Sequence, residues 1–319
     1  MSLWPLLLLP TVSHGVPTSV TLNNGVVMPV VAAGTWQYTS AIAEQSIAAA
    51  LSVGIRHIDT AHDYCADGTT GDCPKRGGSN QLGIAKALAA STIPRSEVFI
   101  TTKVPPCGNQ GISRANCTAD TLEAAQRNLD ELGVAYIDLL LIHFPPLIGG
   151  CSPLNCGILR EQWAALSQFA VANKTRAVGV SNFCESCLRC LAKDAGALVP
   201  AVNQFKFHIG MGPDPAGLVS YCRARGVMPQ AYSPLGDNTT ELINGPLVTS
   251  IGKAHGKSGV QVALRWIWAQ GVAVTTKSSN PAHLAADADL FDWQLTPKEL
   301  AATDASNTPK GSPSFACKS

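Results

Sequence analysis

Four residues of the sequence have side chains that could form an acid–base unit: Asp59, Tyr64, Lys103 and His143. A phenol has an ordinary pKa of about 10 and donates a proton poorly at neutral pH, whereas a buried ammonium nearby would lower that pKa. We therefore expect Lys103 to tune Tyr64 as a general acid, and Asp59 to hold the ammonium in place. A histidine at the rim can hydrogen-bond the same carbonyl oxygen and orient it, which is the role expected of His143.

The chemistry that this unit indicates is the reduction of a carbonyl group. A proton donor aimed at a carbonyl, with no nucleophile–base pair beside it, favours reduction by an external hydride donor. The thiols of Cys184, Cys187 and Cys190 lie at helical spacing but have no matching pair of histidines. We therefore expect no metal site.

The four residues follow apolar runs that predict buried parallel strands. Eight such runs occur: Val30–Ala33, Ile55–Ile58, Val98–Thr102, Ile137–Ile142, Ala177–Val180, Val199–Asn203, Val227–Ala231 and Val272–Thr275. Eight segments of helical period alternate with them: Ala41–Ser52, Asn80–Ala90, Thr118–Leu132, Leu159–Ala172, Cys184–Asp194, Pro215–Arg225, Val260–Gln270 and Pro281–Ala288. Eight βα units in 319 residues fit a closed (β/α)8 TIM barrel, an α/β fold, better than an open sheet.

Two further features support one barrel domain. Asn24 and Gly25 lie within an alternation of apolar and polar residues from Val20 to Val31, which predicts a β-hairpin before the first barrel strand. No Gly-x-Gly-x-x-Gly motif follows any of the runs, which argues against a doubly wound dinucleotide fold. A barrel carries its chemistry at the carboxyl ends of its strands. The polar residues expected there are Ser181, Asn182, Gln204, Tyr232, Ser233, Lys277 and Ser278.

The composition is that of a folded, near-neutral protein. Hydrophobic residues make up 46% and charged residues 14% of the chain, and 23 Lys and Arg against 22 Asp and Glu leave a net charge of +1. This hydrophobic content excludes a largely disordered chain, and the charge balance gives no general attraction to nucleic acid. No stretch is long enough to predict a membrane span. The expected partner is a small carbonyl compound, bound by a monomer.

Several motifs resemble those of the aldo-keto reductase family. In chain order they are GIRHIDTAxxY at 54–64, Thr102-Lys103, IDLxxIH at 137–143, VGVSNF at 178–183, Asn203-Gln204, AYSPLG at 231–236 and Lys277-Ser278. They run from the hairpin at Val20 to about Asp304. The resemblance implies a single (β/α)8 barrel closed at its bottom by the N-terminal hairpin. It also implies an enzyme that reduces aldehydes or ketones to alcohols with NAD(P)H.

The resemblance implies a role for each candidate residue. Tyr64 would be the general acid, tuned by Lys103 and Asp59, and His143 would orient the substrate carbonyl beside Trp36, which walls the substrate pocket. The residues implied to bind the cofactor are Ser181, Asn182, Gln204 and Tyr232 at the nicotinamide, Ser233 and Leu235 along the pyrophosphate, and Lys277, Ser278 and His283 at the adenosine 2′-phosphate.

Some positions depart from the family pattern. His283 stands where the family usually has Arg, Ala286 where it has Glu, and Asp287 where it has Asn. A neutral imidazole offers a 2′-phosphate less charge than a guanidinium. Because Lys277 is kept, NADPH is the expected cofactor, and NADH use remains possible. Asp237 would add an unfavourable charge near the pyrophosphate if it pointed inward, and is otherwise a solvated loop residue.

The eleven cysteines indicate an oxidising compartment and bracket loops at the top of the barrel. Cys65/Cys73, Cys107/Cys117 and Cys151/Cys156 each enclose a Gly- or Pro-bearing loop, so local disulfides are expected there, and the odd total leaves at least one thiol unpaired. The loops concerned are 65–79, 105–117 and 145–157. Such loops shape substrate choice, and Trp36 and Phe144 suggest a mostly apolar pocket.

Residues 1–15 have the pattern of a short secretory signal, with the reductase domain spanning 16–319. An apolar run from Leu3 to Leu9 is broken by Pro5, and cleavage is expected near Gly15, although no Lys or Arg precedes the run. The expected localisation is therefore the secretory pathway or the extracellular space. If this segment is only an apolar N-terminus, the enzyme is cytoplasmic. A non-catalytic nicotinamide-binding or structural barrel protein is the alternative function, since NADPH is scarce outside cells.

Overall fold

A closed barrel of eight parallel strands forms the centre of the computed structural model, which describes residues 18–71, 73–146, 150–194 and 196–313. The strands follow one another in sequence order, and the last pairs with the first to close the barrel. The (β/α)8 TIM barrel predicted from the alternation of runs and helical segments is therefore confirmed. The expected leader, residues 1–15, lies outside the described residues.

The elements have the following bounds. The barrel strands are β3 Val31–Gly34, β4 His57–Asp59, β5 Phe99–Val104, β6 Ile137–Ile142, β7 Thr175–Ser181, β8 Val202–Lys206, β9 Met228–Tyr232 and β10 Ala273–Thr276. The helices are α1 Ser40–Ser52, α2 Gln81–Ala90, α3 Cys117–Leu132, α4 Pro153–Val171, α5 Glu185–Leu191, α6 Leu218–Arg223, α7 Thr240–Ile243, α8 Pro246–His255, α9 Gly259–Ala269, α10 Pro281–Ala288 and α11 Pro297–Asp304. Short 3₁₀ turns lie at Cys73–Arg76, Arg95–Glu97 and Pro215–Gly217.

An antiparallel hairpin of β1 (Ser19–Thr21) and β2 (Val27–Pro29) precedes the barrel, as predicted. Met28 is fully buried and packs with barrel residues such as Phe99 and Leu139, so the hairpin closes the end where the strands begin. The Asn24 side chain donates to the Arg176 carbonyl at 2.9 Å, which ties the turn to the entry of β7. The open end of the barrel is therefore the one where the strands finish.

Two expectations about the elements were wrong. The run at Val199–Asn203 becomes a strand only from Val202, because Val199 is half exposed and Pro200 has no N–H for a strand ladder. Helices α7, α8 and α11 were not predicted. Helix α7 has only four residues, and α11 buries only Thr303, so its apolar periodicity is weak.

The cysteine pairing agrees with the sequence prediction for two loops and differs for the third. Cys65 is bonded to Cys73 and Cys107 to Cys117, as expected. The expected Cys151–Cys156 bond is wrong. The two thiols instead join Cys187 and Cys190, because α4 begins at Pro153 and carries Cys156 on a helical turn that faces α5. These bonds tie the start of α4 to α5.

One described cysteine, Cys222 on α6, is a free thiol. It is buried, and burial raises its pKa to about 11, so this thiol is protonated and inert at neutral pH. The expected unpaired thiol therefore has a structural position in the core and is remote from the strand ends that carry the site.

Candidate active site

The four residues of the predicted acid–base unit meet at the open end of the barrel. Asp59 is the last residue of β4, Lys103 lies near the end of β5, and His143 directly follows β6. Tyr64 lies in the loop after β4. Parallel neighbouring strands end at the same level, so side chains separated by up to 84 positions come together.

Lys103 and Asp59 form a buried ion pair. Lys103 Nζ lies 2.7 Å from Asp59 Oδ1 and donates a second bond of 2.8 Å to the Thr60 carbonyl. The side chains are 1% and 5% exposed, and Gln204 Nε2 donates to the other carboxylate oxygen at 2.6 Å. Buried charges need such compensation. The predicted role of Asp59 in holding the ammonium fits this geometry.

Tyr64 differs from expectation in its acidity. Its hydroxyl lies 3.5 Å from His143 Nε2, and Lys103 Nζ lies 5.2 Å from the centre of its ring. Burial raises the pKa of Tyr64 well above its ordinary value, and the negative charges of Asp59 and Asp63 add to this effect. The expected lowering by Lys103 is therefore not found, because Asp59 neutralises the ammonium. Tyr64 remains a protonated donor.

Asp63 is a site residue that the sequence reasoning missed. It is fully buried, and both of its carboxylate oxygens lie within hydrogen-bond distance of His143 Nδ1, at 2.8 and 2.9 Å. Its neighbour His62 turns away and contacts Glu131 at 3.1 Å. The sequence offers one signal for it, since Asp63 directly precedes Tyr64. A segment that holds a catalytic tyrosine is expected to be buried, and a carboxylate in it would then need a partner.

A cavity of about 760 Å³ opens above this unit. That size lies within the range of ligand sites, roughly 300–1,000 Å³. The predicted residues that line it are Trp36, Asp59, Tyr64, His143, Ser181, Asn182, Gln204, Tyr232, Ser233, Leu235 and Lys277. Lys103 does not itself line the cavity, but it contacts Asp59, which does. Lining residues that were not predicted as site residues include Thr70, Phe144, Lys206 and Ser312.

The candidate nicotinamide residues form one connected group. Tyr232 donates its hydroxyl to Asn182 Oδ1 at 2.7 Å, and Asn182 Nδ2 donates to the His143 carbonyl at 3.0 Å. Asn182 has a φ of 62°, a left-handed conformation that a short polar side chain tolerates. Ser181 donates to the Gln204 carbonyl at 2.9 Å. The wall of the cavity beside His143 is therefore rigid and rich in amide groups.

Next to the candidate pyrophosphate residues Ser233 and Leu235, two residues that line the cavity form an ion pair. Asp237 is paired with Lys206, the last residue of β8. Burial acts to raise the pKa of Asp237, but hydrogen bonds from Lys206 and Ser233 outweigh it and leave that pKa below its ordinary value. Asp237 is about half exposed, so it is a paired rim residue, and Lys206 offsets the charge that would oppose a phosphate.

The candidate 2′-phosphate residues lie at the end of β10 and the start of α10. Ser278 Oγ is 3.5 Å from His283 Nδ1 and accepts from the Asn280 backbone N–H at 3.1 Å. His283 is exposed. Lys277 Nζ donates to the Trp36 carbonyl at 3.0 Å and lies over the rings of Trp36 and Tyr38. The structure thus brings Ser278 and His283 together and turns Lys277 toward Trp36.

The loop after Tyr64, residues 65–79, folds back over the site. The Cys65–Cys73 bond closes it, and the Gly71 backbone N–H donates to the Asp63 carbonyl at 3.0 Å. Thr70 pairs with Tyr64 across a short bridge and lines the cavity. The loop therefore covers Asp63 and forms one side of the cavity entrance.

The model of the aldo/keto reductase family matches residues 30–308. The chain belongs to the aldo/keto reductase family. Members are oxidoreductases that act on carbonyl compounds with nicotinamide cofactors, so the site lies in an enzyme of that class. The match begins at Val30, directly before β3, and extends past α11, so it includes the whole barrel.

Relatives of this aldo/keto reductase align over nearly its full length. An aldo-keto reductase of Mycolicibacterium smegmatis is 34% identical over 91% of this chain and 92% of its own, and morphine 6-dehydrogenase of Pseudomonas putida is 33% identical over 91% of both. The structure of the Brucella melitensis aldo/keto reductase has a TM-score of 0.74 at 32% identity, covering 91% of this chain and 98% of its own. That of the Bombyx mori aldo-keto reductase in complex with NADP has 0.72 at 28%, covering 91% and 92%.

Within 18–71, 73–146, 150–194 and 196–313, no group of three or more His, Cys, Asp or Glu side chains is placed to hold a metal ion. Over the same residues, none of the helices has the length and apolar character needed to cross a membrane.

Proposed function

We propose that this aldo/keto reductase reduces aldehydes or ketones to alcohols with NADPH, using Tyr64 as the general acid. The observation that carries the proposal is the convergence of the Tyr64 hydroxyl, the His143 imidazole and the buried Lys103–Asp59 pair beneath a ligand-sized cavity. The alternative of a non-catalytic barrel is not favoured, because nothing in that role requires a buried ion pair beside a tyrosine.

The residues of the site and the cofactor have separate roles in the proposed reaction. A carbonyl oxygen lying between Tyr64 and His143 would accept a hydrogen bond from the tyrosine hydroxyl. When bound, the nicotinamide cofactor supplies the hydride. Negative charge then develops on the substrate oxygen, and Tyr64 transfers its proton to it. An alkoxide is a much stronger base than a phenolate, so this transfer is downhill even though burial raises the pKa of Tyr64.

The residues present fit a nicotinamide dinucleotide. Amide and hydroxyl groups of Asn182, Gln204 and Ser181 meet at the end of the cavity next to His143, where a carboxamide would be held. Cations lie farther along, at Lys206 and Lys277. Ser233 and Leu235 line the path between the two regions, while Ser278 and His283 would meet the 2′-phosphate. The Bombyx mori relative described in complex with NADP supports the choice of NADPH over NADH.

Substrates with an apolar body fit the rest of the cavity. Trp36, 42% exposed, and Phe144 line the cavity with aromatic surface, Phe144 beside His143, and Thr70 adds a small side chain from the loop after Tyr64. Aromatic or aliphatic aldehydes and ketones are therefore the class to test first.

The test is reduction of a panel of aromatic and aliphatic carbonyls, followed by loss of nicotinamide absorbance. The wild type is expected to turn over, and Tyr64→Phe to lose about 100-fold or more in kcat/KM, since general acids contribute at least that much. Tyr221→Phe is the matched control, because Tyr221 lies on α6 under Arg225 and away from the cavity. NADPH binding without turnover on any substrate would instead support the non-catalytic alternative.

We further propose that the chain is a monomer of the secretory pathway, with residues 1–15 removed. The four disulfides found among the described residues support an oxidising compartment. N-terminal sequencing of the protein from its native source, together with a titration of free thiols, tests this. An intact Met1 with eleven titratable thiols would place the enzyme in the cytoplasm instead.

A further inference from the structure

The contact between Asp63 and His143 constrains which nitrogen of the imidazole carries a proton. Asp63 is buried, and Nδ1 of His143 lies within 2.9 Å of both of its oxygens. An ionised carboxylate accepts hydrogen bonds and cannot donate them. Nδ1 therefore has to be the protonated nitrogen, since two acceptors at this distance would repel each other.

The other nitrogen of the ring faces the reacting groups. His143 Nε2 lies 3.5 Å from the Tyr64 hydroxyl and beside the cavity. In a neutral imidazole protonated at Nδ1, Nε2 carries a lone pair and no hydrogen. Such a ring can accept from the Tyr64 hydroxyl, but it has nothing to donate to a carbonyl oxygen. Only the imidazolium has a hydrogen on both nitrogens.

We propose that Asp63 is a positioning residue that holds His143 in the Nδ1–H tautomer, so that His143 donates to the substrate carbonyl only as the imidazolium. The inference rests on the proposed carbonyl reduction and deepens it. In the reductive direction the proton that forms the alcohol comes from the Tyr64 hydroxyl, and the imidazolium keeps both of its protons throughout. Its role is to hold the carbonyl oxygen and to lower the energy of the charge that develops there.

Few groups face His143 from the surrounding elements in the part of the chain that the structure describes. Asp63 contacts it from the loop after β4, and Tyr64 contacts it from the same loop. The Lys103–Asp59 pair lies beyond the Tyr64 ring, and the Phe144 ring lies beside the imidazole, tilted by 48° with the ring centres 5.1 Å apart. Of these groups, only Asp63 bonds to Nδ1, so its carboxylate decides the tautomer.

A matched pair of residues in the same loop provides the control. His62 Nδ1 contacts Glu131 at 3.1 Å, and both side chains are nearly buried, but neither lines the cavity. Glu131→Gln therefore removes a carboxylate from a histidine one residue away from Asp63 without touching the reacting groups. It reports what the loss of a buried His–carboxylate contact does to folding alone.

The first test reads the tautomer directly. Nitrogen-15 NMR of histidine-labelled protein distinguishes Nδ1–H from Nε2–H in a neutral ring, and His143→Gln identifies the signal. The expected result in the wild type is Nδ1–H. Finding Nε2–H in the neutral ring would overturn the inference, whether or not the enzyme turns over.

The second test is the pH profile of carbonyl reduction in the wild type, Asp63→Asn and Glu131→Gln. An amide can turn either its oxygen or its NH₂ toward Nδ1, so Asp63→Asn permits the neutral Nε2–H donor. Wild-type kcat/KM should fall about tenfold for each pH unit above the loss of the imidazolium. Asp63→Asn should change by less than about twofold over that interval, and Glu131→Gln should follow the wild type.

Each failure has a separate signature. Equal pH profiles for the wild type and Asp63→Asn would overturn the role of Asp63 while leaving the proposed reduction intact. Absence of turnover in the wild type would refute the proposed function, and the NMR measurement would still decide the tautomer. If Asp63→Asn does not fold, the wild-type NMR measurement still decides the inference, because Nε2–H in the neutral His143 ring would overturn it.

Discussion

Asp287 on α10 offers the sharpest test of the electrostatics around the cofactor end of the barrel. It is 3% exposed, and its carboxylate accepts from the Thr276 hydroxyl at 2.7 Å. Burial raises its pKa from the ordinary value of 3.8 to about 6, while the hydrogen bond from Thr276 and the charge of His283 act to lower it. At neutral pH the chain therefore carries an ionised carboxylate that is poorly compensated. Asp287→Asn removes that charge and keeps an oxygen for Thr276.

The expected magnitude follows from the linkage between protonation and folding. Between about pH 4 and pH 6 the folded chain holds a proton on Asp287 that the unfolded chain has lost, so the free energy of unfolding decreases as the pH rises. Each pH unit in that interval is worth about 1.4 kcal/mol, and the interval from 3.8 to about 6 gives a full cost of roughly 3 kcal/mol above it. Asp287→Asn should recover up to that amount at high pH and almost none at low pH.

Urea unfolding of the wild type and Asp287→Asn at about pH 4 and pH 8 measures this difference. The exposed Asp292 is the control: a hydrogen bond from Lys257 lowers its pKa, so Asp292→Asn should show no gain at the higher pH. A gain for Asp287→Asn of the same size at both pH values would refute the reasoning, because it would have to come from packing and not from charge. A loss at high pH would show that the ionised carboxylate is stabilised by contacts beyond Thr276 and His283.

Two further predictions concern the reacting and cofactor-binding groups. Lys103→Met leaves the buried Asp59 carboxylate without its cation and should cost about 3–5 kcal/mol of stability by urea unfolding. Adding Asp59→Asn should recover most of that loss without restoring turnover, and no recovery would contradict the ion-pair explanation. His283→Arg should raise the ratio of kcat/KM for NADPH to that for NADH about tenfold, because a guanidinium would bind the 2′-phosphate through two charged hydrogen bonds where an imidazole now stands. An unchanged ratio in steady-state kinetics would place residue 283 away from the 2′-phosphate.

The fold could be predicted from the sequence because its main signal is local. A strand buried on both faces has to be apolar throughout, and β6, from Ile137 to Ile142, is fully buried along its length. The count of such runs then determines the barrel. The missed helix α11 had a different local signal, the capping box of Thr296 and Glu299, which fixes a helix start without apolar periodicity. Reading caps together with periodicity would have found it.

The site could be predicted only in part, because its missing members depend on contacts between distant segments. Strand ends identify Asp59, Lys103 and His143, since a barrel brings those ends together. Nothing at the end of β6 indicates that the partner of His143 is Asp63, 80 positions earlier. The disulfides behave in the same way. Spacing favours short loops, whereas the bonds from α4 to α5 depend on how two helices pack.

The partner of each buried aspartate decides which property of the enzyme responds to pH. Asp59 faces an ammonium, so its negative charge is compensated by a cation within a buried pair. Asp63 faces an imidazole that also contacts the Tyr64 hydroxyl, so Asp63 acts on the rate of the reaction. Asp287 faces a neutral hydroxyl, so its ionisation is poorly compensated and changes the free energy of unfolding. The two residues lie on separate elements, Asp63 in the loop after β4 and Asp287 on α10. Asp63→Asn should therefore change the pH profile of the rate, Asp287→Asn that of unfolding, and the double variant should show both changes independently.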